Sequence, residues 1–356
     1  MPTKMFPRSP INLALSARKP ALAVSLALSL ALGACAPKDD ADEFREGVPL
    51  REDVTIVVPG ASTQQSALTT SGGGVAEIKS ALLGERADLY KLTRDITFMV
   101  NGGTAAVLTL VKTITEYPPS SVGMDVAVWG PHTNPLSPNT WRLTVNRLGP
   151  GQFQYTLEAK PKTANDTAYL TILAGHHNVA NPGTHRRGHN LPAFGSGDFD
   201  VDWDAAQMLP EHDDNVGKAH FVYSRPSATS DVSIDVTFTQ VMDDETGMLI
   251  DAQYGYVETP GAGGSFQFTL TKNAIVTTAA LETLTVRSRW QETGAGRSDV
   301  KFGGGDLGAT QATASECWDT NFLSVYQTNS YGDAAKMWGA ESSCEAAFAT
   351  PDYAVF

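Results

Sequence analysis

The chain lacks several features that mark common classes of protein. It has 26 basic residues against 39 acidic ones, a formal net charge of −13, so it has no surplus of positive charge to attract phosphate backbones. It contains no Gly-x-Ser-x-Gly or His-Glu-x-x-His motif, and its glycine-rich turns lack the Lys-Ser/Thr of a phosphate loop. Its N-terminal apolar run, residues 20–32, is shorter than the ~20 residues that cross a bilayer. Nucleic acid is therefore not an expected partner, and no familiar catalytic motif identifies an enzyme.

The N-terminus has the organisation of an export signal. Four basic and no acidic residues come first, followed by the apolar run and then by Leu32-Gly33-Ala34-Cys35. Small residues before a cysteine fit the narrow pocket of a processing peptidase, and the freed cysteine thiol can then carry a lipid. The pattern resembles the signal of bacterial lipoproteins, over residues 1–36 only. The alternative is an ordinary secretory signal with a chance cysteine.

The resemblance implies a signal peptide over residues 1–34 and a mature chain anchored by acyl chains on Cys35. The expected location is the bacterial cell envelope. Ala36 stands where some inner-membrane lipoproteins carry Asp, which favours the outer membrane.

Cysteine is scarce, and its use fits export. With Cys35 lipidated, Cys317 and Cys344 remain as an even pair in an oxidising compartment. We therefore predict a Cys317–Cys344 disulfide that pins a C-terminal tail rich in aromatic residues. Two buried free thiols are the alternative.

Composition and periodicity divide the rest of the chain into three parts. Residues 35–74 are acidic and then rich in Ser, Thr and Gly, which predicts a flexible tether. Residues 75–118 show apolar residues at helical spacing, and Asn101-Gly102-Gly103 is typical of a helix stop, so we predict a helical hairpin. Residues 119–356 predict an antiparallel β domain, with 75–356 forming one domain.

Alternating or apolar runs with turn signals between them identify the strands. The predicted strands are Met124–Trp129, Trp141–Arg147, Gln152–Ala159, Ala168–Ala174, Ala193–Trp203, Lys218–Ser224, Val232–Gln240, Leu249–Glu258, Ser265–Lys272, Leu281–Gln291 and Arg297–Phe302. No helical pattern separates them, which favours a meander over βαβ units. The predicted fold is α+β and mainly β, with the helical hairpin packed on a curled antiparallel sheet or partial barrel.

Histidines form the most suggestive chemical cluster. Four of the seven lie within one short stretch, at His176, His177, His185 and His189. Imidazole is a common ligand for zinc-type metals, and Asp198 could complete a divalent-metal site. The alternative is a solvated loop between two strands. The spacing of the histidines matches no known metal-binding signature and therefore favours the loop.

Two charged patterns also have alternatives. Asp200, Asp202, Asp204 and Glu211 occupy calcium-loop positions, but Ala205 stands where the template needs Gly, which favours a strand with an acidic outer face. A second group consists of arginines, Arg287, Arg289 and Arg297. It fits an anion clamp or, as we prefer, cross-strand pairing with carboxylates.

The run Trp290–Asp299 and the later Glu316-Cys317-Trp318-Asp319 are similar to segments of uncharacterised lipoproteins of myxobacterial type. That resemblance implies no activity and no catalytic residue.

The sequence therefore predicts a lipid-anchored envelope protein with a structural role or one in binding an apolar ligand or an envelope partner. An enzyme is the less favoured class. The alternative function is a metal-dependent envelope hydrolase that uses the His176–His189 loop.

Overall fold

The computed structural model describes residues 40–60, 83–182, 194–243, 247–275 and 277–354. This part of the chain divides into two compact units, whereas the sequence led us to expect one domain from residue 75 onward. The first unit contains the described residues of 40–55 and 102–228, and the second contains those of 56–101 and 229–356.

Antiparallel strands build both units, and within each unit every strand pairs with its neighbour in sequence. The first unit contains β1 (Ser121–Val122), β2 (Val126–His132), β3 (Asn139–Gly149), β4 (Gln152–Pro161), β5 (Leu170–Val179), β6 (Gly195–Asp202) and β7 (Lys218–Arg225). The second contains β8 (Val232–Asp243), β9 (Met248–Thr259), β10 (Gly263–Lys272), β11 (Glu282–Gln291), β12 (Gly296–Gly304), β13 (Gln311–Trp318) and β14 (Ser324–Asn329). The mainly β, antiparallel class is confirmed.

The eleven predicted strands correspond to β2 through β12, and the sequence missed β1, β13 and β14. In β13 (QATASECW) small and polar residues predominate, and the four residues from Ser315 to Trp318 are all buried. With both faces covered, such a strand has no alternation of apolar and polar residues to reveal it.

The helices differ from the prediction. They are α1 (Asp40–Glu46), α2 (Arg51–Val54), α3 (Asp88–Thr115) and α4 (Trp203–Gln207). The predicted helix stop at Asn101-Gly102-Gly103 is wrong, because α3 runs through it. The Asn101 side chain is engaged by the backbone of Ile56, accepting from its N–H at 2.9 Å and donating to its carbonyl at 2.8 Å. The hairpin is therefore not confirmed, and residues 75–82 lie outside the described residues.

The predicted flexible tether is also wrong over residues 40–60. Helices α1 and α2 pack by apolar side chains that stand between the acidic ones, and Phe44 and Val48 are 1% and 3% exposed. The Phe44 ring meets that of Phe153 edge-on, with centroids 6.2 Å apart. The acidic residues gave the segment a disordered composition, although its few apolar residues suffice to bury one face.

The first unit is built around an aromatic core on the inner face of β4 to β7. Alternate residues of these strands point inward, and Phe199 and Phe221 are register partners whose rings stack at 4.5 Å. Among the helices that the structure describes, none combines the length and apolar character needed to cross a membrane.

Candidate functional site

The histidine cluster begins on β5, where successive side chains point to opposite faces of the sheet. His176 lies on the exposed face opposite Asp198 of β6, and its Nδ1 is 3.3 Å from both carboxylate oxygens. His177 lies on the buried face and is 2% exposed. The structure therefore does not bring His176 and His177 together, and His185 and His189 lie outside the described residues.

His177 instead forms a buried pair that the sequence did not reveal. Its Nδ1 is 2.6 Å from the hydroxyl of Tyr223, and the two rings lie nearly parallel with centroids 5.9 Å apart. Two glycines of β6 make room, because a Cβ on Gly195 would lie 2.6 Å from the His177 ring and one on Gly197 would lie 2.6 Å from the Tyr223 oxygen. Burial raises the pKa of Tyr223 well above its ordinary value, so the phenol is neutral and serves as a hydrogen-bonding group.

The aspartates of β6 lie on its outer face and pair with basic side chains of β7. The carboxylate of Asp200 is 2.8 Å from Nδ1 of His220, and that of Asp202 is 2.7 Å from Nζ of Lys218. Asp202 also accepts from the backbone N–H of Ala205 at 2.8 Å and thereby caps α4. The strand interpretation is confirmed for Asp200 and Asp202, whereas Asp204 lies in α4. Within the described ranges, no three His, Cys, Asp or Glu side chains are grouped to hold a metal ion.

The arginines of β11 and β12 form a cluster in the second unit, in which Arg287 and Arg289 are half-buried. Arg297 is fully buried, and its Nε donates to Asp299 at 2.8 Å. Arg289 reaches the other oxygen of Asp299 at 3.1 Å. Arg287 donates to Gln267 at 2.9 Å. The predicted cross-strand pairing with a carboxylate is confirmed for Arg289, whereas Arg297 pairs with Asp299 on its own strand and Arg287 lies 3.6 Å from Asp352.

The C-terminal tail (residues 330–354) covers this arginine cluster. Arg297 donates to the carbonyls of Phe348 and Ala349 at 3.1 and 3.3 Å, and the N–H of Asp352 donates to Asp299 at 2.9 Å. The predicted disulfide, Cys317–Cys344, joins the tail to β13, where Cys317 is the register partner of Arg297. The tail is therefore attached by a covalent bond and by hydrogen bonds to the same area of the sheet.

A buried glutamate, Glu316, which sequence reasoning also missed, lies on the face of β13 opposite to that of Cys317. Glu316 accepts from the N–H of Leu89 at 2.6 Å, in the first turn of α3. Its pKa is raised from 4.5 to about 7, because burial and, to a smaller extent, the nearby Asp88 raise it more than the hydrogen bonds from Leu89 and Ser324 lower it. One carboxylate oxygen, Oε1, is buried without a hydrogen-bond partner. One sequence signal could have identified Glu316. It is a single charged residue among small ones, two positions before Trp318 and therefore on the same face of the strand.

Two clefts lie beside the β9–β10 turn. They measure about 200 and 360 Å³ and share Trp290 as a wall. Known small-molecule sites occupy roughly 300–1,000 Å³. Only the larger cleft falls within this range, so the binding of an apolar ligand stays a prediction.

Comparison with known proteins adds no relatives: no family model, no curated protein and no solved structure matches this chain. Cys35 lies outside the described residues.

Proposed function

We propose that this protein is a lipoprotein of the bacterial cell envelope, anchored in the outer membrane by acyl chains on Cys35, with a structural or partner-binding role. The Cys317–Cys344 disulfide is the observation that best supports the proposal. Such bonds persist in oxidising compartments outside the cytoplasm. It also uses both remaining thiols, which leaves Cys35 for the lipid.

The structural part of the proposal draws on the charged clusters. Arg297 and Asp299 are bonded to each other and to the tail, and Asp200 and Asp202 are bonded to β7. These contacts stabilise the fold of each unit. The side chains of an active site would instead be expected to converge on an open cleft.

Metabolic labelling with a radioactive fatty acid tests the anchor. The whole chain, produced in a bacterium that processes lipoproteins, should incorporate label and sediment with the outer membrane. Cys35→Ser should lose both properties while keeping the disulfide, seen as a mass two hydrogens below that of the reduced chain.

Cys344→Ser is the matched control, because it removes a cysteine that the proposal assigns no lipid. It should incorporate as much label as the unaltered chain. Equal labelling of the Cys35→Ser variant, or none of the unaltered chain, would refute the proposal.

A further inference from the structure

The start of the described chain limits how far the protein can stand from its anchor. Asp40, the first residue of α1, follows Cys35 by five residues. Five extended residues span at most about 17 Å. Since α1 is packed on the first unit, a lipid on Cys35 holds that unit close to the bilayer.

Contacts of α1 show which end of the first unit lies nearest the anchor. Glu43, the middle residue of α1, accepts from Arg147 near the end of β3 at 2.7 Å. Arg147 also donates to the carbonyl of Met124, in the β1–β2 turn. Arg45, in the last turn of α1, reaches the carbonyl of Tyr117 at 3.2 Å, farther along the sheet. Helix α1 therefore lies beside the β1–β2 and β3–β4 turns.

These two turns carry exposed apolar side chains. Met124 is 82% exposed and Leu148 is 59% exposed, and Val122 and Val126 beside them are also exposed. The turns are neighbours, because the N–H of Arg147 donates to the carbonyl of Asp125 at 2.8 Å. We call Val122, Met124, Val126 and Leu148 the anchor-side tip.

We propose that the anchor-side tip lies in the interface of the bilayer to which Cys35 is attached, so that lipid and apolar side chains together orient the first unit on the membrane. This inference rests on the proposed lipid anchor. Apolar exposure alone does not select this end, because Leu136 in the β2–β3 loop is 87% exposed. The reach of the anchor selects it.

The basic side chain beside the anchor-side tip is already paired within the first unit. Arg147 is paired with Glu43 and with Asp125, at 2.7 and 3.4 Å, and so offers no free positive charge to anionic headgroups. Side chains of Met and Leu instead favour the boundary between headgroups and acyl chains, about 5–10 Å deep.

Leu136 provides a matched control. It is as apolar and as exposed as Met124, but it lies at the other end of the β2–β3 hairpin, where His132 pairs with Trp141. The seven residues of β2 separate the two ends by roughly 23 Å.

Depth-dependent fluorescence quenching tests the inference. The full lipidated chain, with Met124→Cys, Leu148→Cys or Leu136→Cys labelled by an environment-sensitive fluorophore, is placed in phosphatidylethanolamine and phosphatidylglycerol vesicles containing a doxyl-labelled lipid. The fluorophore at 124 and at 148 should be quenched at least about twofold more than at 136, as burial in the interface requires. Using two tip positions guards against one substitution that misfolds.

Sedimentation with the vesicles distinguishes failure of this inference from failure of the proposed function. If the protein sediments with the vesicles but quenching is equal at all three positions, the tip does not contact the bilayer and the inference is wrong while the anchor stands. If an unlipidated chain is recovered and stays in the supernatant, the proposed function fails and the inference falls with it.

Discussion

Substitution of Asp299 by Asn probes a buried carboxylate of the second unit on which four hydrogen bonds converge. The carboxylate accepts from Nε of Arg297 at 2.8 Å, from the hydroxyl of Ser315 at 2.6 Å, from Arg289 at 3.1 Å and from the N–H of Asp352 at 2.9 Å. Asn keeps the size of the side chain but removes its charge and replaces one acceptor by a donor. Arg297 then remains fully buried with its nearest counter-charge removed.

The expected cost follows from this burial. Both side chains of the Arg297–Asp299 pair are 0% exposed. Removing one partner of a buried ion pair typically costs about 3–5 kcal/mol, because the charge left behind has no water to solvate it. Arg297 keeps the carboxylate of Glu341 at 3.3 Å and the carbonyls of Phe348 and Ala349, so the lower part of that range, about 3 kcal/mol, is expected.

Glu158→Gln is the matched control. Arg142 and Glu158 form an ion pair across two strands, with Nη2 at 2.9 Å from the carboxylate, but their side chains are 32% and 21% exposed. Loss of such a pair costs about 0–1 kcal/mol. Urea unfolding of both variants in a soluble Cys35→Ser background, followed by circular dichroism, compares the two free energies of unfolding.

The result that would refute this reasoning is a loss for Asp299→Asn as small as that for Glu158→Gln. The tail carbonyls would then suffice to stabilise the Arg297 guanidinium, and the Asp299 charge would contribute little.

Two further predictions concern α3. Burial raises the pKa of Glu316 from 4.5 to about 7, so the folded state holds its proton more tightly than the unfolded state, and stability falls as pH rises from about 4.5 to 7. At 1.36 kcal/mol per pKa unit the loss is about 3 kcal/mol, so Glu316→Gln should leave stability at pH 4 nearly unchanged and raise it by up to that amount at pH 8. Urea unfolding at both pH values checks this, and a pH-independent difference would contradict it. Gly102→Ala should stabilise the protein by about 0.5–1 kcal/mol, because the residue is helical and a Cβ there meets nothing within 4 Å. A lower thermal midpoint for Gly102→Ala would instead indicate a helix stop at this position.

The sequence by itself determined the features that depend on local chemistry or strict period. Eleven strands were predicted because alternation is a property of neighbouring residues, and their turns carry Gly, Asn and Asp. The disulfide was predicted because Cys317 and Cys344 formed the only even pair once Cys35 was set aside. The pairing of Arg289 with a carboxylate was predicted because charged residues stand on adjacent strands.

Only the tertiary structure decided the features that depend on partners distant in sequence. Ile56 engages Asn101 across 45 positions and holds α3 through a predicted stop, where local propensity alone favours a turn. Residues 40–60 fold although their composition indicates a tether, because Phe153 is available to cover Phe44. His176 and His177 are adjacent in sequence yet face opposite sides of β5, which no count of histidines reveals. The same reasoning applies to Glu316, whose helix-capping role exists only because β13 places it against the start of α3.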